Sequence, residues 1–261
     1  MNYTVGVSNM DVNLRPLLEN RLPRNPKIHG QIQIIDDQKN YVEIQLEGKE
    51  QIFELSDILA DIVIENLQIR FIMSELLHHH SYIDDKDQCE ILVNTLKKLW
   101  YGGAKDNLEY VKKDVSNRIA VCLLEDKKHF LSLDGVIRFR MKDAVALWRD
   151  SLEDSVDEYL VESERKEFVR LLRYFVSMRE PLIKYVKVRL GQKDYQMLDE
   201  QDLQVSVLLP GTEEDGSEIT KEDLLLSQLI NLSPEVIDLC EVKDEKLKGL
   251  LGQVFIGRVR C

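Results

Sequence analysis

Three consecutive histidines, His78, His79 and His80, form the most conspicuous polar cluster of the sequence. Imidazole nitrogens bind Zn²⁺ or Ni²⁺, so a metal site is one interpretation. Consecutive residues of a helix point about 100° apart, however, and helical metal sites place their ligands at positions i and i+4. His29 and His129 have no partner at such a spacing either. We therefore predict a solvated helix end and no bound metal or other cofactor, with the three histidines kept as the alternative.

A set of basic residues in the middle of the chain is the second candidate site. On one helix, Lys166, Arg170 and Arg173 fall within about 60° of one another. The large apolar residues of that helix are predicted on its opposite, inward side; they are Phe168, Leu172 and Phe175. The candidates for binding an anion or a partner are Arg138, Arg140, Lys142, Lys166, Arg170 and Arg173. This face either binds RNA, DNA or an acidic protein, or is an ordinary solvated surface with ion pairs to nearby glutamates.

Motifs typical of enzymes are missing from the sequence. It contains no GxxxxGK[ST] loop, no GxGxxG fingerprint and no GxSxG elbow. Carboxylates are abundant, but in an acidic protein two of them more often share a solvated face than act as an acid–base pair. We therefore assign no catalytic residue and expect a protein without enzymatic activity.

Composition and charge indicate a folded, acidic protein. The chain has 261 residues, 44% of them hydrophobic and 31% charged, with a formal net charge of −12. This charge repels phosphate backbones at long range and disfavours non-specific binding to nucleic acid. The four cysteines lack paired spacing, and we find neither a signal peptide nor a run of about 20 apolar residues. These features predict a cytoplasmic protein that does not insert into a membrane.

Hydrophobic periodicity predicts an α+β fold with three regions. Residues 1–50 form a small N-terminal α/β element with a β-hairpin, in which QIQIID and YVEIQL are the two strands. Residues 51–182 lack proline until position 181 and carry apolar residues at helical spacing, which predicts several helices, the last two meeting at a bend near Ser163. Residues 183–261 alternate short strands and helices, which predicts a small C-terminal α/β layer with some parallel pairing. We expect the last two regions to form one structural unit.

Three ordered blocks in the second half of the chain resemble the YtxC family of sporulation-associated proteins. The first is Phe139-Arg140-Met141-Lys142-Asp143, the second runs from Val156-Asp157-Glu158-Tyr159-Leu160 to Tyr174-Phe175-Val176, and the third is Glu222-Asp223-Leu224-Leu225-Leu226-Ser227-Gln228-Leu229-Ile230 with Pro234. The resemblance covers roughly residues 136–261, whereas the first 130 residues match by length and pattern. It implies a sporulation protein and supplies no catalytic residue.

Three functions remain open from the sequence. The leading one is a non-enzymatic sporulation protein that binds a protein partner of unknown identity. The second is a nucleic-acid-binding module that uses the basic helix face. The third is an enzyme with a site between the helical and C-terminal regions.

Overall fold

The structure is a computed structural model. It describes residues 2–7, 12–21, 32–36, 41–46, 50–102, 107–126, 129–191, 194–205 and 220–260. The chain divides into two compact units, Met1–Tyr159 and Leu160–Cys261, called unit 1 and unit 2 below. The division into three regions, 1–50, 51–182 and 183–261, stays a prediction.

Unit 1 contains a four-stranded sheet. Its strands are β1 (Asn2–Gly6), β2 (Ile32–Asp36), β3 (Tyr41–Gln45) and β4 (Phe130–Ser132), in the order β2-β3-β1-β4. The predicted hairpin is confirmed, since β2 and β3 pair antiparallel, and its connecting residues 37–40 lie outside the described residues. The sequence analysis missed β4, which is only three residues long and pairs parallel to β1.

The helices of unit 1 follow the predicted apolar spacing. They are α1 (Leu14–Glu19), α2 (Glu50–Ile62), α3 (Gln68–His79), α4 (Asp85–Tyr101), α5 (Asn107–Glu125), the short turn α6 (Leu133–Gly135) and the first part of α7 (Lys142–Ser177). Two π-helical segments interrupt this series, π1 (Val63–Leu67) and π2 (Val136–Arg140). Residues 50–79 are thus α2, π1 and α3 in succession.

The core of unit 1 forms where α2 and α5 lie against each other. Leu55 and Leu59 of α2 are fully buried, as is Ile119 of α5. Residues spaced by three or four positions share one face of a helix, so each helix presents a continuous apolar surface to the other. Burial of each such side chain contributes roughly 1.5–3 kcal/mol, which is what holds the polar helices in place.

The prediction for the residues of α7 is wrong in one respect. We predicted two helices with a bend near Ser163, but Lys142–Ser177 is a single helix of 36 residues. It lies across the boundary between the units, so residues 142–159 belong to unit 1 and residues 160–177 to unit 2. Ser163 is a weak helix former but does not break a helix, and the absence of proline between positions 26 and 181 permits the uninterrupted run.

Unit 2 is built on a five-stranded sheet. Its strands are β5 (Tyr185–Leu190), β6 (Tyr195–Leu198), β7 (Gln204–Val205), β8 (Val236–Asp238) and β9 (Val259–Arg260), in the order β7-β6-β5-β8-β9. The strands β5, β8 and β9 pair in parallel, as predicted, whereas β6 and β7 pair antiparallel. The strand β6 was not predicted from the sequence, and residues 206–219 lie outside the described residues.

Two helices connect the parallel strands of unit 2, α8 (Lys221–Leu232) and α9 (Glu245–Val254). Gly252 lies inside α9. Leu229 and Leu251 are fully buried in a cluster that includes Val186, Val188 and Ile237 of the sheet. The predicted α+β class, with a helical middle and small sheets towards both ends of the chain, is confirmed. Within the described ranges, no helix is long and apolar enough to span a membrane.

We predict that Thr220→Ala destabilises unit 2 by about 1 kcal/mol. The Thr220 hydroxyl accepts a hydrogen bond from the Asp223 backbone N–H at 3.2 Å and donates one to the Asp223 carboxylate at 2.7 Å. Alanine removes both bonds at the N-terminus of α8. The measurement is the free energy of unfolding in urea, with Thr220→Ser as the control because serine keeps the hydroxyl. Equal losses in both variants would contradict this role of the hydroxyl.

Candidate binding groove of unit 1

A groove of about 1120 Å³ lies among the described residues of unit 1. The α3 helix forms one wall, and π2 with the start of α7 forms the other. The residues that line it are Arg70, Phe71, Met73, Ser74, Glu75, Leu77, His78, Ile137, Arg138, Lys142, Val145 and Arg149. The lining thus combines four permanently charged cations with apolar side chains, in a protein whose net charge is −12.

The π2 segment decides which residues face the groove. Its first two residues, Val136 and Ile137, are buried, whereas Arg138 and the two residues after it are exposed. Met141 then anchors the junction with α7, because its side chain is fully buried. A π-helical turn adds a residue to the α-helical repeat, which redirects the side chains that follow. Lys142, the first residue of α7, therefore emerges beside Arg138.

Arg118 of α5 fixes this junction. Its guanidinium donates two hydrogen bonds to the Asp143 carboxylate, at 2.7 and 2.6 Å, and one to the Arg140 carbonyl oxygen at 2.7 Å. It also pairs with Asp114 on its own helix at 2.8 Å. The fork–fork geometry of a guanidinium and a carboxylate restricts orientation as well as distance. Arg118 thereby holds the residues on both sides of Met141 in a defined position relative to α5.

A stack of side chains forms the floor of the groove. Trp148 is buried and contacts Phe71 edge to face, with ring centroids 5.7 Å apart. The Arg149 guanidinium lies 5.4 Å from the centre of the Phe71 ring and donates to the Glu75 carboxylate at 2.8 Å. That hydrogen bond raises the pKa of Arg149. Arg149 is therefore already neutralised, and its role is to cover the aromatic floor.

The other cations of the groove differ from Arg149. Within the part of the chain that the structure describes, Arg70, Arg138 and Lys142 form no ion pair, and all three are exposed. Their charges are available to a ligand from outside. Leu77, Met73 and Val145 add apolar surface between them, so the groove can bind a molecule that carries both negative charge and apolar groups.

The residues predicted as an anion-binding or partner-binding set are divided between several places. Arg138 and Lys142 lie in the groove of unit 1. Arg140 instead lines a smaller cleft of about 330 Å³ beside Arg118 and Cys122. The remaining three, Lys166, Arg170 and Arg173, lie in unit 2. The function of all six stays a prediction.

The three predicted residues of unit 2 are exposed but do not form one free face. The Arg173 guanidinium donates two hydrogen bonds to the Gln253 carbonyl oxygen, at 3.1 and 2.8 Å, near the C-terminal end of α9. Arg170 pairs with Glu167 at 3.2 Å. Arg173 thus satisfies a carbonyl of the last turn of a helix, which is a structural role. Lys166 has no ion pair among the described residues.

The prediction for the opposite side of this helix is wrong in part. Phe168 and Phe175 do not pack inward: they are 53% and 55% exposed. The buried residues of this half of α7 are Val169 and Val176, with Leu172 partly buried beside them. The helix therefore turns a different face towards the core than the one predicted. The smaller, β-branched valine side chains pack against the core on that face.

The histidines do not converge on one point. The rings of His78 and His79 meet edge to face with centroids 4.8 Å apart. The His80 ring instead contacts the Glu153 carboxylate at 3.1 Å and the Tyr82 hydroxyl at 3.3 Å. In the ranges that the structure describes, no group of three or more His, Cys, Asp or Glu side chains is placed to hold a metal ion. His78 lines the groove as a polar rim residue.

The residues that α3 contributes to the groove were not predicted from the sequence. Arg70, Ser74 and His78 follow one another at intervals of four, which places them on one face of the helix, and this periodicity is visible in the sequence. The contact of α3 with Arg149 joins residues 74 positions apart in the chain. No local pattern predicts such a contact, so the groove could not be assembled from the sequence.

The ion pair between Arg118 and Asp143 contributes to the free energy of unfolding, and this contribution depends on pH. The hydrogen bonds from Arg118 lower the pKa of Asp143 from 3.8 to about 2. Because the folded pKa lies below the unfolded one, the stabilisation is complete above pH 3.8 and is lost as the pH falls towards 2. The Asp143 side chain is 65% exposed, so solvent screening limits the effect to less than about 1 kcal/mol.

We therefore predict that Asp143→Asn is slightly less stable than the wild type at neutral pH, and that the difference disappears at acid pH. Urea unfolding of both proteins between neutral pH and about pH 2 measures it. Asp150→Asn is the control, since Asp150 is exposed on the same helix and has no ion pair among the described residues. A difference that stays constant across this range would contradict the role of the pair.

Comparison with known proteins identifies the family. No curated protein and no solved structure matches this chain. The model of the YtxC-like family matches residues 53–260, a range that includes both walls of the groove and nearly all of unit 2. The match extends well beyond the three blocks recognised in the sequence, which begin at residue 139. The chain belongs to the YtxC-like family.

Proposed function

We propose that this YtxC-like protein is a non-enzymatic, cytoplasmic sporulation protein that binds an acidic segment of a partner protein in the groove of unit 1. The link to sporulation rests on the family resemblance. The binding activity rests on a single observation, three exposed cations without an ion pair in one groove of a strongly acidic protein. Those cations are Arg70, Arg138 and Lys142.

The charges of the groove favour an anionic ligand. Intramolecular carboxylates neutralise many of the other basic side chains of unit 1, including Arg21, Lys98, Lys112 and Arg118. Acidic residues exceed basic ones by 12 over the whole chain, so unpaired cations in a common groove stand out against that background. Such a local potential steers an anionic segment to the groove and gives the interaction a strong salt dependence.

The apolar lining favours a protein segment over a nucleic acid. Leu77, Met73 and Val145 offer contacts to aliphatic side chains. Phe71 is the one Phe, Tyr or Trp ring of the lining, and the Arg149 guanidinium lies over it, so this ring is not free to stack on a base. A peptide that alternates acidic and apolar side chains satisfies both parts of the surface.

The groove can be tested with charge reversals. We predict that Arg70→Glu, Arg138→Glu and Lys142→Glu together weaken binding of a labelled peptide of alternating Glu and Leu residues by roughly tenfold or more. Fluorescence anisotropy at two salt concentrations measures the dissociation constant. The matched control reverses Lys86, Lys97 and Lys113, which are exposed on α4 and α5 and do not line the groove. The control carries the same net charge and is expected to bind as the wild type does.

Sporulation supplies the second readout of the same variants. Cells that carry the groove variant are expected to form fewer heat-resistant spores, whereas cells with the control variant sporulate normally. Equal peptide binding by the groove and control variants would reject the groove as the binding site. Groove-dependent binding of single-stranded RNA or DNA, with none of the peptide, would replace the protein partner with a nucleic acid.

A further inference from the structure

An exposed apolar stripe runs along the half of α7 that belongs to unit 2. The stripe consists of Val161, Phe168, Leu171, Phe175 and Met178. All five side chains are between 48% and 69% exposed. Met178 follows the last residue of α7, but its backbone N–H still bonds to the Tyr174 carbonyl oxygen at 3.2 Å, which continues the helical path. Large exposed apolar surfaces of this kind mark interaction sites.

The spacing of the stripe is that of a coiled coil. From Phe168 onwards the intervals are three, four and three residues, Val161 precedes Phe168 by seven, and Glu164 occupies the position between them. Intervals of three and four are the a and d positions of a heptad, which form a narrow line of contact with another helix. Val169 and Val176 bury a different face of the same helix in the core of unit 2. The stripe is thus additional to the face that the fold requires.

We propose that the stripe is a homodimer interface, in which the second half of α7 pairs antiparallel with the same segment of a second copy. A two-fold axis places the same patch on both copies, and a heptad line of contact is complementary to itself. Five side chains of this size, about half exposed, offer roughly 500 Å² on each copy. Two copies therefore bury about 1,000 Å² through these side chains alone, which reaches the area of a specific interface.

The charges of the segment select the antiparallel orientation. Residues 160–168 carry Glu162, Glu164 and Glu167 against two basic residues, whereas residues 169–179 carry three arginines and no acidic residue. A parallel pair places the three arginines of both copies side by side. An antiparallel pair places the acidic half of each copy beside the basic half of the other, and brings Glu164 of each towards Arg179 of the other. This local attraction opposes the repulsion between two acidic chains.

Sedimentation equilibrium tests the interface on the full-length protein. The wild type is expected to reach twice the chain mass of 30.4 kDa. Leu171→Glu places a carboxylate in the middle of the stripe and is expected to raise the dissociation constant of the dimer by roughly tenfold or more. Ile256→Glu is the matched control, because Ile256 is 61% exposed in the same unit but lies off the stripe. It is expected to leave the dimer intact.

Charge exchange tests the orientation. In the antiparallel dimer, Glu164→Arg and Arg179→Glu each weaken association, and the doubly exchanged variant restores it. In a parallel dimer residue 164 faces its own copy, so neither single change weakens association. Arg179 also donates to the Asn231 side-chain oxygen at 2.8 Å, so the melting temperature of each variant is measured alongside.

Four outcomes would overturn the proposal of an antiparallel dimer. A wild-type protein that stays monomeric at every concentration has no such interface. A dimer unaffected by Leu171→Glu, or one weakened equally by Ile256→Glu, is held together elsewhere. If Leu171→Glu lowers the melting temperature, the milder variants Phe168→Gln and Phe175→Gln are measured instead. A dimer that neither of these variants weakens is likewise held together elsewhere. Unchanged single exchanges at positions 164 and 179 would replace the antiparallel arrangement with a parallel one.

Discussion

The burial of one side of α7 decides which surfaces the rest of the protein can present. In unit 1 the helix buries Trp148, Leu152 and Val156, which are spaced by four. Residues on either flank of that face are thereby turned towards solvent, and Lys142 and Arg149 of the groove are among them. A rotation of this helix by one residue, about 100°, would remove both from the groove. The basic groove thus depends on an apolar contact made on a different side of the helix.

The same constraint acts differently in unit 2. There the buried positions are Val169 and Val176, seven residues apart, and they occupy a narrower face than the one in unit 1. A face this narrow leaves room on the remaining surface for both a basic flank and an apolar stripe. Of the basic residues Lys166, Arg170 and Arg173, only Arg173 bonds to another helix, through its hydrogen bonds to the end of α9. The helix therefore satisfies two cores and still exposes two chemically distinct surfaces.

The sequence predicted the elements better than their environment. Apolar spacing located α2, α4 and α5 because burial on one side of a helix requires that spacing. It could not rank two alternative apolar faces on the same helix. Phe168 and Phe175 are larger and more apolar than Val169 and Val176, so burial of the phenylalanines was the natural expectation, yet the valines occupy the core. The choice depends on residues of β5, α8 and α9, which are distant in sequence.

The polar residues of the candidate groove could likewise be predicted from the sequence only in part. Arg138 and Lys142 could be chosen from the sequence because they cluster locally, and both lie in the groove. Arg70 could not, because it joins them only through the packing of α3 beside π2. Nor could the sequence distinguish Arg149 from Lys142: both are basic residues of one helix, but Glu75 neutralises the first and leaves the second available. What a cation can bind is thus decided by the carboxylates that the fold brings to it. In a chain with 47 acidic and 35 basic residues, several exposed cations without such a partner in one groove are therefore more informative than any one basic residue.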